Sequence, residues 1–170
     1  MASAKTTKRV FSVAGLGVTA ASARTGAWTF ALASNIVSLN KAAASTTSVV
    51  NIPVPHSPRS EPNDDAQVSI IKVYYKVTTA NLTSAPTAVL NQITGPTATG
   101  IVARTAVTQV LSFGGVDTVG TTATSGDHIA IVTVTTPSSA PDTDSYVLAL
   151  TMNEAGTSVL DIFGAQVTYV

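Results

Sequence analysis

The chain has no cysteine, two histidines, one tryptophan and only 11% charged residues, and each shortage removes a class of activity. Without cysteine there is no disulfide, no thiolate nucleophile and no Cys-ligated metal, so the fold carries no mark of its redox surroundings. His56 and His128 are the only side chains whose ordinary titration falls near neutral pH. They stand 72 positions apart (128 minus 56), and both read as surface or loop-end histidines rather than as parts of a triad with a serine. An aromatic content of 5% leaves few platforms on which sugars or bases stack. No run approaches the roughly 20 apolar residues that cross a membrane as a helix.

The scarcity of charge matters most. An ordinary soluble domain is about a quarter charged, so this surface carries much less ionic cover than usual. Nine basic and nine acidic residues cancel, which removes long-range attraction to a polyanion and eases association between copies. The charges are also segregated. Lys5, Lys8, Arg9, Arg24, Lys41 and Arg59 precede the first acid, Glu61, while Asp117, Asp127, Asp142, Asp144, Glu154 and Asp161 follow the last base, Arg104. Between Lys76 and Arg104 there is no charge at all. Uncharged β surface invites pairing with other strands, so the chain is expected to work inside an assembly. The basic N-terminal segment of one copy is expected on the acidic C-terminal half of a neighbour.

Motifs of chemistry are weak. Asp142-Thr143-Asp144 and Asn63-Asp64-Asp65 bring oxygen ligands together, but neither has the spacing of a calcium loop, and Asp is a common turn residue. Gly95-Pro96-Thr97-Ala98-Thr99-Gly100 has the glycine spacing of a phosphate loop and then lacks its Lys-Ser/Thr. Gly15-Leu16-Gly17 begins a dinucleotide fingerprint that does not continue. Asn81-Leu82-Thr83 is a sequon of a kind that arises by chance in a Thr-rich chain. Lys5, Lys8 and Arg9 before an apolar stretch ending in Ala21-Ser22-Ala23 outline a secretory leader, diluted by Ser12, Gly15, Gly17 and Thr19. The preferred reading is a basic N-terminal arm over 1–24. Three basic charges give only a weak, salt-sensitive grip on phosphates, so nucleic acid is not an expected partner. No enzymatic activity, cofactor or metal is expected.

Strand signals dominate the rest, with β-branched runs broken by Gly, Pro, Ser, Asn and Asp. Trp28, Phe30 and Leu32 share one face of a first run, and Val50, Ile52 and Val54 share a face of the second, whose Pro53 marks an edge. Residues 55–66 read as an exposed, proline-rich and charged loop. The longest run, 67–78, places Val68, Ile70, Lys72, Tyr74 and Lys76 on one face and Ile71, Val73, Tyr75 and Val77 on the better core face. Further strands are expected at 87–94, 106–113, 128–135, 145–152 and 158–170, that at 128–135 patterned on Ile129, Ile131, Val132 and Val134. The last is expected to bend near Gly164. The fold class is therefore all-β: an eight-stranded jelly-roll β-sandwich over 25–170 with an extended N-terminal arm, and an immunoglobulin-like sandwich is the runner-up.

Three stretches carry a resemblance. They are Ile71 to Leu82, Pro86-Thr87-Ala88-Val89-Leu90-Asn91, and Ala155 to Ala165. Together they resemble proteins common among tailed bacteriophages and environmental viral sequences, and jelly-roll virion components in general, over about residues 67 to 170. The resemblance implies a structural component of the virion, of the capsid cement or decoration type. Its implied partners are further copies of itself, as a homotrimer, and the major capsid protein, with no small-molecule substrate and no membrane. It supplies no functional residue. The candidate partner-binding residues come from charge and aromatic placement alone: Lys5, Lys8, Arg9 and Phe11 in the arm and Tyr74 on the outward strand face. Alternatives are a single-jelly-roll coat protein that forms the shell itself, a secreted filament or surface-layer subunit, and a glycan-binding module.

Overall fold

The computed structural model describes residues 9–14, 19–20, 28–33, 36–41, 47–54, 67–79, 81–94, 103–106, 109–115, 126–135, 145–153 and 157–170. These form twelve strands and no helix among the described residues: β1 (Arg9–Ala14), β2 (Thr19–Ala20), β3 (Trp28–Ala33), β4 (Ile36–Lys41), β5 (Thr47–Val54), β6 (Val68–Thr78), β7 (Thr87–Thr94), β8 (Ala103–Ala106), β9 (Gln109–Gly115), β10 (Gly126–Val134), β11 (Ser145–Asn153) and β12 (Val159–Tyr169). The protein is all-β, built of two antiparallel sheets. One runs β3-β4-β12-β6-β10-β9, with β1 also paired to β12, and the other runs β2-β5-β11-β7-β8.

The eight expected runs coincide with strands, to within a few residues at their ends, and β1, β2, β4 and β8 are additional. The short β4 was hidden because Val37 and Leu39 are the only two apolar residues on one face of a six-residue run, and β1 because its Ser-Ala-Gly surroundings resemble a leader. The segment 1–24 thus contributes Arg9–Ala14 to one sheet and Thr19–Ala20 to the other. The 55–66 loop, His56, the leader-like Ala21-Ser22-Ala23 and the Gly95–Gly100 stretch lie outside the described residues.

One apolar core fills the space between the sheets. β6 supplies Ile71, Val73, Tyr75 and Val77, while β5 supplies Val50, Ile52 and Val54, all nearly inaccessible to solvent. Leu148 and Leu150 of β11 meet Leu160 and Ile162 of β12 in the same cluster. Strict alternation puts one set inward on each strand, which is why these runs read clearly in the sequence.

Three expectations about facing are corrected. On β10 the buried set is His128, Ala130, Val132 and Val134, and Ile129 and Ile131 face outward. With Val132 and Val134 inside, period two leaves no other choice for residues 129 and 131. His128 is accordingly not a surface or loop-end residue; it is 3% exposed and stacks on Tyr75, its register partner, with ring centroids 5.2 Å apart. Val68 is buried rather than outward, because the register of β6 against β12 shifts between Thr168 and Tyr169 at that end.

The bend expected near Gly164 is a β-bulge. Pairing of β12 with β6 skips from Ile162 to Gly164, and Gly164 has φ of 147°, a left-handed value that favours glycine. The extra residue changes the inward set of β12 from Leu160 and Ile162 to Ala165, Val167 and Tyr169. Without it, Gln166 would point into the core.

Candidate functional site

Charge divides the two sheets. The strands of the seven-stranded sheet contain Arg9, Lys41, Lys72, Lys76, Asp127 and Asp161, whereas those of the five-stranded sheet contain Arg104 alone. Of these, Lys72, Lys76, Asp127 and Asp161 stand on the outward side of their strands, so the outer face of the seven-stranded sheet carries charge of both signs.

On the outer face of the charged sheet, β6 presents Ile70, Lys72, Tyr74, Lys76 and Thr78, all half-buried. Lys76 stands in register with Asp161 on β12 and Asp127 on β10, and Asp161 stands in register with Asn40 on β4. A polar row therefore crosses four strands. Asn40 donates its Nδ2–H to Asp161 Oδ1 at 2.8 Å, and Ser38 Oγ donates to the same oxygen at 3.2 Å. A carboxylate fixed by two donors and flanked by a lysine position is a structural anchor for the β4-β12-β6 seam. Tyr74 lies one row along, between Gly164 and Ile129, with its hydroxyl 3.5 Å from Gln166 Oε1.

The outer face of β5, β11 and β7 is different in kind. These strands hold no Asp, Glu, Lys or Arg. In register across them lie Pro53, Val147 and Asn91 in one row, Asn91 being buried and donating to the Val89 carbonyl, and Asn51, Ala149 and Val89 in the next. Val89 is 44% exposed, on the flank of this face where β7 has a described partner only in β11. One end of the face is closed by a polar knot: Asn153 accepts from Thr47 Oγ1 at 2.8 Å, donates to Ser84 Oγ at 2.7 Å, and its carbonyl accepts from the Thr83 backbone and hydroxyl. This knot locks the 81–86 connection against the sheet, with Leu82 buried beneath it.

At the other end of the molecule, Gln67 and Val170 exchange backbone hydrogen bonds of 2.9 Å, which ties the C-terminal residue to the start of β6. Beside them Tyr169 is buried, and desolvation pushes its phenol up to about 12.

Of the expected partner-binding residues, Lys5 and Lys8 lie outside the described residues. Arg9 and Phe11 lie on β1, opposite Tyr169 and Val167 of β12, and Tyr74 lies on β6, two strands from β1 in the same sheet. The structure thus brings three of the five into one sheet. Sequence reading missed Val89 and its neighbours, although the uncharged stretch between Lys76 and Arg104 was their signal. Asp142, Asp144, Asn63, Asp64 and Asp65 lie outside the described residues. Among the described residues no group of three or more His, Asp or Glu is placed to hold a metal ion, and no helix is long and apolar enough to cross a membrane.

No protein-family model matches the chain, and no curated protein matches it. Among solved structures, an arabinose-bound α-L-arabinofuranosidase is similar over 95% of this chain, with 14% sequence identity and a TM-score of 0.43. The chain spans 25% of that protein's length. At that identity and score the likeness carries no weight for fold or chemistry.

Proposed function

We propose that this chain is a virion structural protein, a capsid cement or decoration protein that binds a phage shell of coat subunits as a homotrimer and reinforces it without catalysis. The observation that carries the reading is the uncharged outer face of β5, β11 and β7, with Val89 exposed on its β7 flank. Apolar, charge-free sheet surface is a liability on a solitary molecule and an asset once a neighbour covers it. The charged outer face of the other sheet is suited to water.

The order of strands supports a jelly roll as the finer description of the fold. β4-β12-β6-β10 lies in one sheet and β5-β11-β7-β8 in the other, so the chain passes from sheet to sheet between β4 and β5, β5 and β6, and β6 and β7. Two four-stranded sheets wound in this way are the jelly-roll pattern. In this reading β8 and β9 share one strand position between the sheets, and β1, β2 and β3 are N-terminal additions that include the arm. Reinforcement then follows from mass action: each bound copy adds contacts that disassembly has to undo, and several contacts per copy raise the effective affinity.

The test is to incubate the purified protein with undecorated shells, recover them by sedimentation and image them. Copies at regular lattice positions are the expected result, together with shells that withstand heat or chelation better. Shells that emerge bare would refute the reading. Closed particles formed by the purified protein alone would replace it with the coat-protein reading.

A further inference from the structure

We propose that the Gly164–Tyr169 edge of β12 is a strand-accepting site, and that in the assembled protein its occupant is the Arg9–Ala14 strand of a second copy. The inference rests on the assembly reading above and names the surface through which copies join.

Four observations lead there. β12 is covered along one side by β6, but its other side is shared by two strands, β4 along Leu160–Ile162 and β1 along Gly164–Tyr169. The bulge at Gly164 separates the two seats, so the second seat has its own fixed start. Second, the sheet is continuous without β1: the path β3-β4-β12-β6-β10-β9 does not pass through it, and among the described residues β12 is its only strand partner. Removing β1 would leave the core strands paired and one edge of β12 bare.

Third, the chain between β1 and β3 is long. Between Ala14 and Trp28 lie 13 residues (28 minus 14 minus 1), and the described ones among them, Thr19 and Ala20, pair with Asn51 and Val50. Thirteen extended residues reach roughly 45 Å at about 3.5 Å each. A domain of this length has a radius of gyration near 15 Å by the usual scaling, or roughly 40 Å across. This segment can therefore span a neighbour.

Fourth, the seat is read through the backbone. Six consecutive register pairs, Arg9 with Tyr169 to Ala14 with Gly164, join the strands in antiparallel order. A bare edge presents unpaired N–H and C=O groups that any matching strand satisfies. The strand of a second copy makes the same six register pairs as the chain's own, so exchange keeps the β1–β12 seam, releases at most the two pairs of β2 with β5, and joins two molecules through an identical segment.

The absence of native cysteine gives a clean test. Ser12 and Gln166 are register partners, so the full-length double variant S12C/Q166C places two thiols across the seam. The variant is oxidised at a concentration where light scattering detects oligomers, then denatured and run without reductant, with the 12–166 bond verified by peptide mass. Covalent dimers or larger chains joined through that bond are the expected result, in most of the protein. A 12–166 bond confined within single chains overturns the proposal, and so does the absence of that bond while the circular dichroism and melting of the variant match wild type. Shell binding by the same variant, measured separately, distinguishes failure of strand exchange from failure of the decoration reading.

Discussion

Gly164 is the residue on which the seven-stranded sheet turns, and its replacement gives the sharpest expectation. At an ordinary strand position a β-branched residue is an improvement on glycine, by up to about 1 kcal/mol. Here the backbone holds φ of 147°, where a Cβ collides with the preceding carbonyl. A non-glycine residue in such a region costs about 1–3 kcal/mol. Gly164 is also buried, between Tyr74 on β6 and Ala14 on β1. Gly164→Ala is expected to lose about 1–3 kcal/mol, and Gly164→Val more, because its branched side chain adds crowding to strain. For a chain of 170 residues, at roughly 2–4 °C per kcal/mol, Ala should lower Tm by about 2–12 °C. The assay is urea unfolding followed by circular dichroism, with m-values compared so that a changed denatured state is recognised. The sign for Val is diagnostic. If Gly164→Val matches or exceeds wild type, β12 runs without its bulge, and the argument for two separate seats along it collapses.

The other expectations concern the faces and the core. Val89→Lys should leave the melting of the isolated chain within about 0.5 kcal/mol of wild type, since the side chain is largely outside the core, yet weaken self-association or shell binding by about a hundredfold or more, because a charge is then trapped in a dry contact; sedimentation velocity reads both arms, and undiminished association would remove the uncharged face from the proposal. Asp161→Ala leaves Ser38 and Asn40 without their shared acceptor and should cost about 1–3 kcal/mol, whereas Asp127→Ala, at an exposed position, should cost little; equal effects in denaturant titrations would contradict the anchoring role. Leu148→Ala, fully buried, should cost about 2–5 kcal/mol by the same measurement. Tyr169 gives a pH dependence: its phenol is raised from 10.0 to about 12 in the folded chain, so the unfolded state releases the proton first and stability present below pH 10 declines as pH climbs towards 12. Tyr169→Phe should remove that part of the decline, and an unaltered alkaline profile would mean that the phenol is solvated.

Alternation and composition by themselves determined the class of fold. A run such as Ile71 to Val77 can hide one apolar set only as a strand with a buried face, and β5 and β6 follow that pattern from the sequence onward. The edge location inferred from Pro53 is met in part: β2 lies beyond β5, but among the described residues it reaches only Val50 and Asn51, and Pro53 itself is paired with Val147 of β11 alone. Parity on β10 was not legible, because isoleucines and valines occupy both faces and only packing against β6 decides which set is covered. His128 was misread for the same reason: a polar residue at the start of a strand reads as surface until Tyr75 is seen beside it. The anchoring of Asp161 by Ser38 and Asn40 joins residues more than 120 positions apart and leaves no local signal. What the sequence by itself determined was periodicity and charge distribution, both local properties of the chain. What only the tertiary structure decided was which strands are neighbours, and with that the separation of charged from uncharged faces and the seat that β12 offers to β1, because strand pairing is a long-range choice made by the backbone and the core together.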